Sequence, residues 1–264
     1  MELSGIMISV IVVAGCGLLI SIFLSIFAKK FAVPVNKKEE AILASLPGNN
    51  CGGCGYPGCS GLAAAICSGE APVSGCPVGG KPVADAIAAI MGVDAGQFVK
   101  RVAYVKCRGT CDNAGELYEY TGPRDCKSAV MAPGKGSKQC SYGCLGFGSC
   151  SRVCDNDAIK IVDGVAVVDS EKCGACGKCV NACPMGLIEL VPYDASVRVG
   201  CSSKDKGNIT MKACKVGCVG CGLCVKTCQF GAITVENNVA HIDYDKCTRC
   251  GLCAEKCPKK IIIV

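Results

Sequence analysis

CVGCGLCVKTCQFGAITVENNVAHIDYDKCTRCGLCAEKCP, residues 218–258, decides the fold. It contains two cysteine runs, Cys218, Cys221, Cys224, Cys228 and Cys247, Cys250, Cys253, Cys257, both spaced C-x2-C-x2-C-x3-C, the second closed by Pro258. The first three sulfurs of such a run wrap one face of a cubane iron–sulfur cluster, and the following turn carries the fourth to a neighbouring cluster. The two runs therefore predict two [4Fe–4S] clusters by exchange: Cys218, Cys221 and Cys224 with Cys257, and Cys247, Cys250 and Cys253 with Cys228. Between them, β-branched residues flank Asn237-Asn238, the pattern of a small hairpin. His241, the one histidine of the chain, falls in its second strand as an outward-facing residue.

Upstream, the unit repeats. CDNDAIKIVDGVAVVDSEKC from Cys154 and CQFGAITVENNVAHIDYDKC from Cys228 place Ala-Ile, Val-Ala, an Asp and a closing Lys-Cys at the same positions. A duplication explains this most simply. Cys173, Cys176, Cys179 and Cys183-Pro184 repeat the run, while Cys140, Cys144, Cys150 and Cys154 form a stretched version, C-x3-C-x5-C-x3-C. The exchange rule then pairs Cys140, Cys144 and Cys150 with Cys183, and Cys173, Cys176 and Cys179 with Cys154. Zinc competes for a lone C-x2-C pair; interlocked four-cysteine runs favour the cubane.

Nearer the N-terminus, Cys51, Cys54, Cys59 and Cys76 are spaced C-x2-C-x4-C-x16-C, a Gly-rich, His-free set that suits one more [4Fe–4S] cluster, with a structural zinc as the alternative. Helices are expected at 37–46, with Asn36 as cap and Glu39 three residues on, at 62–67, and around Val83, Ile87, Ile90 and Met91. Cys67 reads as spare. Residues 92–139 show weak periodicity and read as a connection. Cys107, Cys111 and Cys126, with Cys201 or Cys214, leave room for a sixth cluster.

Residues 5–28, from Gly5 to Ala28, carry no charge and are long enough to cross a bilayer, with Cys16 facing lipid or a partner helix. Lys29, Lys30, Lys37 and Lys38 follow, and Glu2 alone precedes, which puts the N-terminus outside and the rest in the cytoplasm. In that reducing compartment, the 27 cysteines are expected as thiolate ligands rather than disulfides. The net charge of +6 is not a nucleic-acid signal. Each oxidised cubane with its four thiolates is a net anion, and five of them reverse the sign. Aromatic residues are also too few (5%) for base stacking. No phosphate-binding glycine motif and no Ser–His or Cys–His pair stands out, so neither direct NAD binding nor a catalytic triad is expected here.

One apolar helix, then CGGCGYPGC with Cys76, then tandem cysteine runs resembles the B subunits of Rnf complexes over essentially the whole chain. The resemblance implies an α+β protein: a transmembrane anchor (1–28), a small helical [4Fe–4S] domain (29–92), a connection with an extra cluster site (93–139), and two bacterial-type 2[4Fe–4S] ferredoxin-like modules (140–200 and 201–264). It implies an electron relay with no substrate site of its own. Reduced ferredoxin is the donor, other membrane subunits are the acceptors, and Na+ or H+ transport is coupled elsewhere. The alternatives are a polyferredoxin subunit of another membrane hydrogenase or dehydrogenase, and a redox partner of a corrinoid or carbon monoxide system.

Overall fold

The computed structural model describes residues 3–30, 36–96 and 98–264, and side chains of its first helix from Val10 to Phe27. Glu2 and the side chains of Lys29 and Lys30, on which the expected orientation of the N-terminus rests, lie outside the described residues. Helix α1 (Leu3–Lys30) is one uninterrupted rod. Its window Val10–Phe27 has a mean hydropathy of 2.8, and none of it is buried against the rest of the chain. The hydroxyls of Ser21 and Ser25 donate to carbonyls one turn back, at 2.8 and 2.7 Å, so neither of these two groups needs water.

Three helices then build a small domain. In α2 (Lys37–Ser45) the Asn36 side chain accepts from the Lys38 amide, and Glu39 and Glu40 lie in the first turn, where the helix dipole favours them. The next, α3 (Gly58–Ser68), starts earlier than expected and takes Cys59 into its first turn. It packs with α4 (Gly80–Met91) around Ile42, Leu62, Ile66 and Ile87. Of the helical stripe read from sequence, Ile87 is fully buried, and Val83, Ile90 and Met91 are half-buried on the same core.

The duplicated part forms two modules of like construction. Hairpin β2 (Ile159–Val162) and β3 (Val165–Val168) pairs Ile159 with Val168. Its counterpart, β6 (Ile233–Glu236) and β7 (Val239–Ile242), pairs Ile233 with Ile242. The two-residue turns, Asp163-Gly164 and Asn237-Asn238, have positive φ at both positions, which matches the right-handed twist of the strands. One-turn helices α6 (Ser149–Arg152), α7 (Lys178–Ala182), α9 (Leu223–Thr227) and α10 (Leu252–Glu255) each carry the third cysteine of a run. Each follows a glycine with φ between 71° and 75°, a left-handed corner that swings the chain inward and is cheap only without a Cβ. His241 is exposed on β7, as its alternation suggests.

The connection is not merely a connection. Strand β1 (Arg101–Val105) lies within it and pairs antiparallel with β4 (Ile188–Pro192), at the far end of the first module. Helix α5 (Cys126–Ala129) also belongs to it. Strand β5 (Arg198–Val199) likewise pairs with β8 (Ile262–Ile263) at the end of the second module. Helix α8 (Gly207–Ala213) follows β5 in the chain. The modules meet where the Arg198 guanidinium lies 5.3 Å from the Tyr104 ring and where Arg249 pairs with Asp194.

Candidate iron–sulfur centres

Most of the cysteines gather into six sets, five of four and one of three. In site 1, Cys54, Cys59 and Cys76 pack on the small domain's core. The Asn50 side chain accepts from the Cys59 amide at 2.8 Å, and the Gly79 amide donates to Cys76 Sγ at 3.4 Å. Burial raises the Cys76 thiol above its usual range, with Cys54 and Cys59 adding like charge. Cys51, which the spacing assigns to this set, lines the neighbouring cavity of site 2.

Site 2 is a cavity of about 540 Å³ lined by Cys154, Cys173, Cys176 and Cys179, with Cys51 also on its wall. The Ala103 and Ala158 amides donate to Cys173 and Cys154 Sγ, each at 3.3 Å. Burial pushes the Cys179 thiol up to about 11, and the other three thiols of the set add to the effect. Site 5 joins Cys218, Cys221, Cys224 and Cys257; burial pushes Cys224 up to about 11 and the other three reinforce it. In site 6, Cys228, Cys247, Cys250 and Cys253 line a cavity of about 320 Å³. These three sets have the membership that the exchange of fourth cysteines predicts.

The stretched run departs from that rule. Cys144, Cys150 and Cys183 line a cavity of about 360 Å³ with Cys126, not with Cys140. In this site 3, burial pushes the Cys150 thiol up to about 12, with Cys144, Cys126 and Cys183 the like charges around it. The repeat explains why. When Cys150 and Cys154 are set on Cys224 and Cys228, Cys144 falls on Cys218, and Phe147 stands where Cys221 would be. Cys126 supplies the missing sulfur from α5. Its amide donates to Ser149 Oγ at 3.0 Å, and Ser149 donates to Asp125 at 2.7 Å. Asp125 in turn caps α5 through the Ser128 amide and pairs with Arg152. Asp125 ahead of a short helix was a readable cap signal.

Cys140 instead lines a cavity of about 370 Å³ between the modules with Cys107, Cys201 and Cys214. In this site 4, burial pushes Cys140 up to about 11, and the nearby like charges are the other three thiols. Two amides reach Cys107 Sγ, from Gly109 at 3.4 Å and Cys144 at 3.3 Å. Two reach Cys201 Sγ, from Cys218 at 3.3 Å and Ser203 at 3.5 Å. The sixth set thus uses both Cys201 and Cys214, takes Cys140 from the stretched run, and excludes Cys111 and Cys126. Cys111 is exposed, and Cys67 packs half-buried on the first domain's core. Here too the repeat held the signal: Cys140 stands four residues before Cys144 as Cys214 stands four before Cys218.

The donor sets suit cubane clusters. Sites 2 to 6 each gather four sulfurs, and backbone N–H groups point at sulfurs of sites 1, 2 and 4, an arrangement that tunes cluster potential. Among the described residues, no three His, Cys, Asp or Glu converge on a single ion, whereas a cubane holds its thiolates farther apart. The sites also adjoin in order. A Cβ on Gly53, beside site 1, would collide with the Cys176 carbonyl of site 2. Sites 2 and 3 share the first module's core, and sites 5 and 6 share the second's. Site 4 touches site 3 through Cys144 and site 5 through Cys218.

Fold and sites define a tandem dicluster iron–sulfur protein carried on an apolar helix of membrane-spanning length. A family described as "Putative Fe-S cluster" matches residues 46–78, and one described as "4Fe-4S dicluster domain" matches 172–232 and 217–261. Those two dicluster spans overlap on the run at 218–228; the structure pairs that run with 247–257. The chain is 51% identical to the B subunit of the Na(+)-translocating ferredoxin:NAD(+) oxidoreductase complex of Acetobacterium woodii, over 98% of this chain and 78% of that protein. It is 41% identical to the B subunit of the ion-translocating oxidoreductase complex of Methanosarcina acetivorans, over 96% of each. It is 39% identical to the B subunit of the proton-translocating ferredoxin:NAD(+) oxidoreductase complex of Clostridium ljungdahlii, over 92% of this chain and 86% of that protein. The chain belongs to the B-subunit family of Rnf-type ion-translocating oxidoreductase complexes, and is an iron–sulfur electron-transfer subunit with the other subunits of such a complex as partners.

Proposed function

We propose that this chain holds six [4Fe–4S] clusters in one row and carries electrons from reduced ferredoxin to the membrane subunits of its complex. The observation that carries the reading is the set of four cysteines between the modules, Cys214 buried and Cys107, Cys140 and Cys201 half-buried, which joins sites 1 to 3 to sites 5 and 6 in a continuous series. Outer-sphere, one-electron transfer is the chemistry the clusters supply when bound. The chain's own part is to hold adjacent thiolate sets in contact, exclude water from them, and aim amides at their sulfurs.

The direction follows from exposure and tether. Cys221 and Cys250 are exposed in the second module, with Phe230 half exposed near site 6. Lys226 and Lys256, both exposed, lie nearby in sequence and give a basic and partly apolar face that suits an acidic donor. Site 1 is the one nearest α1 in the chain. Electrons then enter at sites 5 and 6 and leave at site 1, with α1 in the cytoplasmic membrane, its N-terminus outside and the modules in the cytoplasm. The chain binds ferredoxin and its partner subunits, and neither NAD nor nucleic acid; NAD or another terminal acceptor is served elsewhere.

Iron, acid-labile sulfide and zinc measured on the anaerobically purified chain test this. About 24 iron atoms per chain are expected from six cubanes. About 20 would remove the inter-module site, and little iron with stoichiometric zinc would overturn the relay itself.

A further inference from the structure

Lys138 is 6% exposed, among the least accessible charged side chains of the protein. Its Nζ donates to the carbonyls of Gly109 at 2.8 Å and Gly164 at 2.9 Å, and no carboxylate among the described residues forms an ion pair with it. A buried ammonium satisfied only by neutral carbonyls is costly unless an anion lies near. Both carbonyls lead toward cysteine sets. Gly109 lines site 4, and its own amide donates to Cys107 Sγ. Gly164, in the β2–β3 turn, has its backbone against Gly146, two residues beyond Cys144 of site 3. One cation thus lies close to both sites.

We propose that the Lys138 ammonium is the fixed counter-charge shared by the clusters of sites 3 and 4, and that it raises the midpoint potential of both. Reduction adds negative charge, and a cation held in a water-poor setting favours the reduced state more than it could at the surface. Two adjacent clusters moved together form a level step in the middle of the row, so electrons cross the module boundary without an uphill hop. Lys138 does not touch the reacting atoms; it acts as a positioning and tuning residue. The inference rests on the six-cluster reading.

The experiment is a redox titration followed by electron paramagnetic resonance on the full chain, purified anaerobically in detergent, with iron counted on the same samples. Lys138→Gln, which removes the charge and keeps a donor, is expected to retain its iron and move two of the six potentials to more negative values. Lys138→Arg is expected to keep them near their original position, and Lys135→Gln, an exposed change nearby, to move none. Full iron with unmoved potentials in Lys138→Gln overturns the proposal. Loss of iron in both Lys138 variants also overturns it, making the side chain only a staple between two loops. If Lys138→Gln alone loses iron, unmoved potentials in an iron-replete Lys138→Met overturn it and lowered ones support it; loss there too overturns it. An original chain with about 20 iron atoms would instead remove the site 4 cluster on which the inference rests.

Discussion

The amide of Cys218 donates to the sulfur of Cys201 at 3.3 Å, so a residue of site 5 holds the thiolate of site 4. Cys144 does the same for Cys107 on the opposite side, also at 3.3 Å. Each thiolate is thereby joined by one hydrogen bond to the backbone of a cysteine in the next set. Replacing Cys201 by Ala is expected to remove about four iron atoms. It should leave sites 5 and 6 reducible by ferredoxin and slow reduction of sites 1 to 3 severely. Rapid-freeze spectroscopy after mixing with reduced ferredoxin checks this; unchanged reduction of the early sites would exclude site 4 from the route.

The exchange of Cys140 for Cys126 makes a sharper test. Cys126→Ala and Cys140→Ala are each expected to cost about four iron atoms, and the double variant about eight, because the residues serve different sites. If both belonged to one site, the double variant would lose no more than either single one. Iron analysis and spin quantitation decide between these outcomes.

Ser149 supports Cys126 from a buried position, accepting from its amide while donating to Asp125. Ser149→Ala leaves that amide without a partner, at a cost of roughly 1–3 kcal/mol. The expected result is a lower urea midpoint and faster loss of one cluster to chelator. Ser149→Thr, which keeps the hydroxyl, should lose less.

Gly53 brings the first domain against the Cys176 carbonyl, where a Cβ has no room. Gly53→Ala is therefore expected to push site 1 away from site 2 with the iron count unchanged. Reduction of site 1 by ferredoxin should slow while the other five sites keep their rates. Equal rates for all six would mean that the loop yields without separating the sites.

Cysteines make up much of the apolar packing in both modules. Stripping the iron therefore removes the centre of each core, and the apolar residues left are too few to hold short strands and one-turn helices together. Circular dichroism after chelation and oxidant treatment is expected to show loss of the modules' structure with α1 retained. A metal-free chain with unchanged spectra would contradict this.

What the sequence reveals here depends on how local the signal is. The hairpins were readable because Asp163-Gly164 and Asn237-Asn238 sit between β-branched runs. Sites 2, 5 and 6 were readable because each draws on paired runs of fixed spacing. Site 3 was obscured because Phe147 occupies a run position and its replacement, Cys126, lies well upstream on another element. Site 4 has no run at all: Cys107, Cys140, Cys201 and Cys214 come from four segments that only β1–β4 pairing and module packing bring together. Strand β1 was missed because five residues in a weakly patterned stretch carry too little alternation to stand out, and its partner is distant in sequence.

Strand β5 lies beside β8, and β1 beside β4, so each module leaves the chain's path and returns to nearly the same point. Such a detachable loop can be copied, and another spliced in after it, without rerouting what flanks it. The cost falls on one place: a newly added copy gains its own paired clusters at once, but is wired to its neighbour only if it brings counterparts of Cys201 and Cys214 to the seam. Lineages that lengthened this protein by whole modules would therefore be constrained less by the hairpins and runs than by two cysteines outside them.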